Sequence, residues 1–258
     1  MSTLMLLLLL LTLGCLIGVL LINIMSREAK ELVVKEETIN LPIEIDKKML
    51  LFISDIHKRK ISQSLLDQLP AIDYVIIGGD ICEKGVNPTF LEANLATLSS
   101  LGKTFFVWGN NDYEFGETEL NEYLMKHGII SLNNEAKIIG VGAKSWSIVG
   151  VEDLSYERAN VDKALVNAQG PVIFVSHNPE IAYEIFTKNI NIQAILSGHT
   201  HGGQIRLGPL AIAEKGGWTI KNGIKVLISN GFGTTRLPLR FGAKPEMHII
   251  TIQGISND

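Results

Sequence analysis

The chain opens on an uninterrupted apolar run. Residues 4–25 carry no charge, 18 of these 22 are apolar, and 6–11 are all leucine. As a helix this run would extend about 33 Å, enough to cross a hydrocarbon core of about 30 Å. It lacks the polar face of a helix packed on a soluble core. After it, short apolar runs alternate with amphipathic segments. The runs at 49–54 (MLLFIS), 74–78 (YVIIG), 104–108 (TFFVW), 172–175 (VIFV) and 194–196 (AIL) predict buried strands. Further strands are expected around Ile129, Ile138 and Ile148, at 225–229 and at 247–252. Helices are expected at 62–69, 88–101, 117–127, 156–168 and 179–187. Pro88 suits a first helical turn and Gly128 a helix end. The alternation predicts an α/β domain. The mixed-charge stretch 26–40 reads as a tether or an edge strand. The organisation is then an anchor at 1–25, a tether at 26–40 and one catalytic-size domain at 41–258.

Composition narrows the classes. The chain is 46% hydrophobic and 19% charged, with 23 Lys and Arg against 27 Asp and Glu, a net charge of −4. That excludes a disordered chain and a polytopic membrane protein, and it disfavours a nuclease or other nucleic-acid binder. Two cysteines exclude a disulfide scaffold. A cleaved signal peptide needs a positive start and a small-residue cleavage site. Here only Met1-Ser2-Thr3 precede the run and no such site follows. A lipoprotein reading at Cys15 leaves unexplained the ten residues by which the run continues past the cysteine. A retained single-pass anchor is the expectation. Arg27, Lys30 and Lys35 follow the run and no cation precedes it, so the Lys/Arg count leans toward a cytoplasmic domain.

The chemistry collects where strands end. After MLLFIS come Asp55-Ile56-His57, and after YVIIG come Gly79-Asp80. After TFFVW come Gly109-Asn110-Asn111-Asp112, and after VIFV come Ser176-His177. After AIL come Ser197-Gly198-His199-Thr200-His201-Gly202-Gly203. Ligands of α/β sheets bind outside the carboxyl ends of strands, so these five ends can converge. Each fragment alone is an ordinary turn or core histidine; five in order are not. Asp55, His57, Asp80, Asn110, His177, His199 and His201 make an oxygen and nitrogen donor set without thiolate. That set suits manganese, iron, zinc or magnesium. Seven donors exceed what one tetrahedral ion needs and suit two ions if one carboxylate bridges.

In this order the motifs resemble the calcineurin-like metallophosphoesterases, over about residues 48–253. The tail at 231–242 (GFGTTRLPLRFG) with Pro245-Glu246 resembles the membrane-anchored bacterial branch that includes UDP-diacylglucosamine hydrolase-like proteins. The resemblance implies a four-layer sandwich, two mixed β-sheets flanked by helices, with two divalent ions at the sheet ends. Manganese is the first expectation, with iron, zinc or magnesium as alternatives. One ion would be held by Asp55, His57, Asp80 and His201, the other by Asp80, Asn110, His177 and His199. Asn111 stands where the family places a histidine that binds phosphate and helps to protonate the leaving group. An amide donates a hydrogen bond but is no general acid. Asn111, Asp80 and Asp112 are the candidate catalytic residues; Asp112 is expected to orient Asn110 rather than to donate a proton.

The implied activity is hydrolysis of a phosphoester or pyrophosphate by a hydroxide on the metals. The anchor favours a lipid-linked or cell-envelope substrate, and Asn111 favours good leaving groups. The alternative is a catalytically weak metal-binding scaffold for a protein partner. His127 and His248 are expected to be structural, and Lys58-Arg59-Lys60 a solvated basic loop.

Overall fold

The computed structural model describes residues 2–255 other than Asn189, Leu207, Pro209 and Leu210. Its first element, α1 (Thr3–Glu28), buries none of its residues within the protein. Ser2 caps it, and Thr12 and Asn23 turn their side chains onto the carbonyls of Leu9 and Val19. The Thr12 hydroxyl and the Asn23 side-chain N–H are thereby satisfied within the helix. This helix is long and apolar enough to span a membrane.

Twelve strands follow among the described residues, in two six-stranded sheets. In chain order they and the helices are β1 (Val33–Leu41), β2 (Lys48–Ile53), α2 (Gln63–Leu66), β3 (Tyr74–Ile77), α3 (Pro88–Leu101) and β4 (Lys103–Phe106). Then come α4 (Asn110–Phe115), α5 (Glu117–Lys126), β5 (Ile130–Ser131), β6 (Glu135–Ile139), β7 (Trp146–Gly150), α6 (Val161–Leu165) and β8 (Val172–Val175). The chain closes with α7 (Ile181–Ile185), β9 (Ile192–Ser197), β10 (Gly217–Lys221), β11 (Ile224–Ile228) and β12 (Glu246–Gly254). The first sheet runs β1-β12-β2-β3-β4-β5 and the second β10-β11-β9-β8-β7-β6. Both are mixed: β2 to β5 are parallel while β12 opposes β2, and β7, β8, β9 and β11 are parallel while β6 and β10 oppose their neighbours.

Strand alternation builds the layers. Leu50 and Phe52 of β2 point into the core between the sheets, with Ile76, Phe105, Ile173, Val175 and Leu196. Leu51 and Ile53 point the other way, against Leu91, Leu95 and Leu98 of α3 and Leu120 and Leu124 of α5. The outer face of the second sheet is covered by Val161 and Ala164 of α6 and by Ile181 and Ile185 of α7. The result is the helix, sheet, sheet, helix sandwich. Helix α3 shows the local logic. Asn87 accepts from the Thr89 amide, Pro88 opens the first turn, and Gly102 follows the last residue. Its leucines recur on one face, each contributing about 1.5–3 kcal/mol by burial.

Of the two readings of 26–40, the edge strand holds from Val33 onward, where β1 starts and pairs in parallel with β12. Two differences from the sequence pattern matter. The expected helix 156–168 shrinks to α6, because Asn160 caps the Lys163 amide and starts the helix there. A short helix, α4, begins at Asn110, where the sequence suggests only a turn.

Candidate metal centre

The carboxyl ends of β2, β3, β4, β8 and β9 do converge, and they bring all seven predicted donors together. Asp55, His57, Asp80, His177 and His201 are buried, while Asn110 and His199 are half-buried at the mouth. Two tight groups form: Asp55, His57 and His201, and Asp55, Asp80 and His177. The backbone turns sharply to present them. Asp55, His57, Asp80, His199 and His201 all have φ between 50° and 70°. Such left-handed positions cost about 1–3 kcal/mol each in a non-glycine residue, and cluster where function demands them. Glycines clear the space. A Cβ on Gly231, whose φ is +73°, would lie 2.6 Å from the Asp55 Cβ. A Cβ on Gly109 would collide with the Asp80 carboxylate.

The first group is braced by charge. His57 Nδ1 lies 2.9 Å from Glu83 Oε2, and Lys58 Nζ lies 2.7 Å from the other Glu83 oxygen. Burial disfavours the charged His57, but the Glu83 hydrogen bond and the Asp80 and Asp55 carboxylates outweigh it and raise its pKa. Arg240 is fully buried and points its guanidinium at His201, with Nη2 3.2 Å from His201 Nδ1. It also donates to the carbonyls of Asn230 at 2.7 Å and Ala243 at 2.8 Å. Burial lowers its pKa to about 10, so it stays charged at neutral pH. Burial lowers His201 to about 4 against the pull of Asp55, leaving the neutral imidazole that binds metals. Ser54 donates to Asp55 at 2.6 Å, and the His199 amide donates to it at 3.1 Å.

The second group is braced by amides. Asn111 clamps Asp80: its backbone N–H donates to Oδ1 at 2.8 Å and its side-chain amide to Oδ2 at 2.6 Å. Despite burial, the neighbouring His177, with help from His57 and Asn111, lowers the Asp80 pKa. His177 is fixed by its Nδ1, 2.9 Å from the Gly78 carbonyl. Burial works against its charged form, but Asp80 raises its pKa well above the usual value. His199 Nδ1 lies 3.0 Å from Asn110 Oδ1. Burial and the neighbouring His177 lower the His199 pKa.

Asp112 does not orient Asn110. Its carboxylate accepts the backbone amides of Asp80 at 2.8 Å, Gly109 at 2.9 Å and Cys82 at 3.1 Å, and so ties two strand-end loops together. It is fully buried, and burial together with the Asp80 charge raises its pKa. The physical reason is α4: starting the helix at Asn110 makes Asp112 a capping residue of its first turn. His127 ends α5 beside Glu92, and His248 is buried in β12 near Glu246, both away from the donors. Glu83 is a supporting residue that sequence patterns pass over; Arg240, in the 231–242 tail, is open in the sequence between the site and a packing or turn role, and it reaches His201. The only signal for Glu83 was a carboxylate three residues after Asp80.

The donor set fits divalent ions. His57 Nε2 and His201 Nε2 are 3.0 Å apart, and two nitrogens bound at right angles about 2.1 Å from one ion would be about 3.0 Å apart. His177 Nε2 is buried 3.3 Å from Asp80 Oδ2 and makes no hydrogen bond within the protein. A divalent cation between this nitrogen and the carboxylate would engage both, the ring then being neutral. His57 and His177 hold their other ring nitrogens against oxygen acceptors, which sets the tautomer a metal ligand needs.

The chain matches the calcineurin-like phosphoesterase family over residues 49–203. It is 44% identical over 210 residues to "Uncharacterized protein YpbG" of Bacillus subtilis (strain 168), covering 80% of this chain and 81% of that one. It is 30% identical over 220 residues to "Uncharacterized metallophosphoesterase YkoQ" of the same organism, covering 77% and 81%. Against "Phosphodiesterase YaeI" of Escherichia coli (strain K12) the identity is 30% over 171 residues, covering 61% and 62%. The match runs from the strand that delivers Asp55 to the glycines after His201, and by it this chain belongs to the calcineurin-like phosphoesterases.

Proposed function

We propose that this protein is a membrane-anchored phosphoesterase that uses two divalent ions, manganese first among them, to hydrolyse a phosphoester or pyrophosphate bond. The observation that carries the reading is the donor cluster, with the two Nε2 atoms of His57 and His201 at 3.0 Å and the Nε2 of His177 unpartnered. Asp55, His57, Asp80 and His201 would hold one ion, and Asp80, Asn110, His177 and His199 the other. When bound, the ions supply positive charge for phosphoryl oxygens and make water acidic enough to attack at neutral pH.

The chain's own residues do the rest. Asp80 would be shared between the two ions, and the Asn111 clamp fixes both of its oxygens. Arg240 and Glu83 hold the two imidazoles of the first group from behind. Asn110, Asn111 and His199 are the side chains of the site nearest to solvent, so they meet the substrate. None of the amides gives up a proton, and Asp112 is spent on backbone amides. The leaving group must therefore depart without protonation, which favours nucleotide-like and pyrophosphate linkages. A relative named as a phosphodiesterase supports a diester over a monoester. Helix α1, retained as a single span, favours a lipid-linked or cell-envelope ester. The cations that follow it favour a cytoplasmic domain.

The test uses the full chain in detergent. Metal analysis after loading with manganese is expected to give two ions per chain, and a panel of aryl mono- and diesters is expected to show turnover that a chelator abolishes. Bound metal with no turnover on any phosphoester would point instead to a scaffold. Rate is also expected to fall steeply as the leaving-group pKa rises; a shallow dependence would overturn the role given to Asn111.

A further inference from the structure

The end of α1 does not hang free of the domain. The Arg240 amide donates to the Met25 carbonyl at 3.1 Å. Arg59 donates to the carbonyls of Ala29 and Lys30, each at 3.2 Å, and to that of Phe232 at 2.7 Å, while lying 4.5 Å over the Phe232 ring. The last turn of the anchor is thus fastened to the segment 232–240. The other side of this segment is fastened to the metal centre. Gln204, three residues after His201, donates to the carbonyls of Thr235 at 3.0 Å and Leu237 at 3.2 Å and accepts from the Thr235 amide at 2.9 Å. Arg240 itself reaches His201. One residue therefore spans from the anchor to a metal donor.

Depth follows from this. The uncharged run ends at Met25, and about 20 apolar helical residues fill a bilayer core. Met25 then lies where hydrocarbon meets head groups, and the segment bonded to it lies at the same level. Its surface suits that layer. Arg236, Leu237 and Pro238 are exposed, Leu237 by 56%, and Ile212 on the neighbouring loop is 95% exposed. Arg27 and Lys30 follow the apolar run at the same level. Glu28 and Glu31 share this rim, and Lys244 pairs with Glu31 at 2.8 Å. Beside it, Lys35, Lys215 and Lys244 line a cavity of about 340 Å³ with Glu28 and Glu37.

We propose that loop 234–239, with Ile212, is a second membrane contact: Leu237 and Ile212 enter the head-group layer, Arg236 meets lipid phosphate, and the metal centre opens onto that layer. Its substrate is then a phosphoester carried by a lipid and taken without leaving the bilayer. The inference rests on the reading of α1 as a retained span, and for its substrate on the phosphoesterase reading.

The experiment places the full chain in phosphatidylcholine–phosphatidylglycerol nanodiscs containing a head-group spin-labelled lipid. A fluorescent thiol label is put on Leu237→Cys in a Cys15→Ser background; Cys82 is buried and stays unlabelled. The comparison label is Val166→Cys, 75% exposed and leading into the amino end of β8, opposite the site. The label at 237 is expected to be quenched several-fold more than that at 166; equal quenching overturns the contact. With a vesicle-borne phospholipid ester, Leu237→Asp is expected to raise KM about tenfold while aryl-ester turnover is unchanged; an unchanged KM overturns the lipid-borne substrate. If wild-type protein hydrolyses no aryl ester, the phosphoesterase reading fails, and the quenching result still decides the contact.

Discussion

Around Asp55, His57 and His201 the donors are gripped by charged side chains, Glu83 on one imidazole and Arg240 on another. Around Asp80, Asn110, His177 and His199 the direct contacts are amides and a carbonyl, from Asn111, Asn110 and Gly78. The first half is built to hold rings rigidly and tune their basicity. The second half fixes oxygen and nitrogen atoms without adding a titrating group at the mouth. On the proposed reading, a site divided this way would separate holding metal from handling substrate and would leave proton transfer to the leaving group unassisted.

Four changes would break or sharpen that division. Removing the carboxylate proposed to bridge the two ions should cost most. Asp80→Asn is expected to lower kcat on the order of a thousand-fold, the scale of losing a preorganised electrostatic partner, and to lower metal content by at least one ion. Activity retained within tenfold would show that Asp80 is not shared. Next, Glu83→Gln should weaken one of two metal-binding steps by about 10–100-fold and leave the other alone. Titration calorimetry would show equal weakening of both steps if the halves were not distinct. Third, Asn111→His should raise turnover about tenfold, and only for esters with poor leaving groups, flattening the leaving-group slope. A uniform change across the series would contradict the role of the amide.

The smallest effect concerns the base of the first half. Glu246 accepts from the Asn230 amide N–H at 2.8 Å and from its side chain at 2.9 Å, and the Asn230 carbonyl accepts from Arg240. Burial works against the Glu246 carboxylate, but His248 and Asn230 outweigh it and hold its pKa below 4.5. A depressed folded-state pKa stabilises the fold above the unfolded value, and that stability is lost as pH falls through the folded one. The Tm of wild type should therefore decline below about pH 4.5 more steeply than that of Glu246→Gln. Parallel curves would remove Glu246 from the support of Arg240.

The donors were legible because each follows an apolar strand, and strand burial is written in runs of Val, Ile, Leu and Phe. The layers followed from the same alternation. What stayed hidden is long-range or exposed. Arg240 meets His201 across 39 residues of chain, and no local pattern announces such a pair. Strand β10 is half-exposed and carries Thr219 and Lys221, so it lacks a hydrophobic signature. Strand β1 carries Lys35, Glu36 and Glu37 and buries only Ile39 and Leu41, so its pattern alone leaves it open between tether and edge strand.

That partner comes late. Strand β12 sits between β1 and β2, pairing nine residues with one and five with the other, and it is the last strand in chain order. While the chain is being synthesised, the anchor and the first strand emerge long before the strand that joins them to the sheet. Two strand edges stay open through that interval. Closure of the first sheet thus waits for β12, and until then its two open edges are the part of the fold most exposed to wrong pairing.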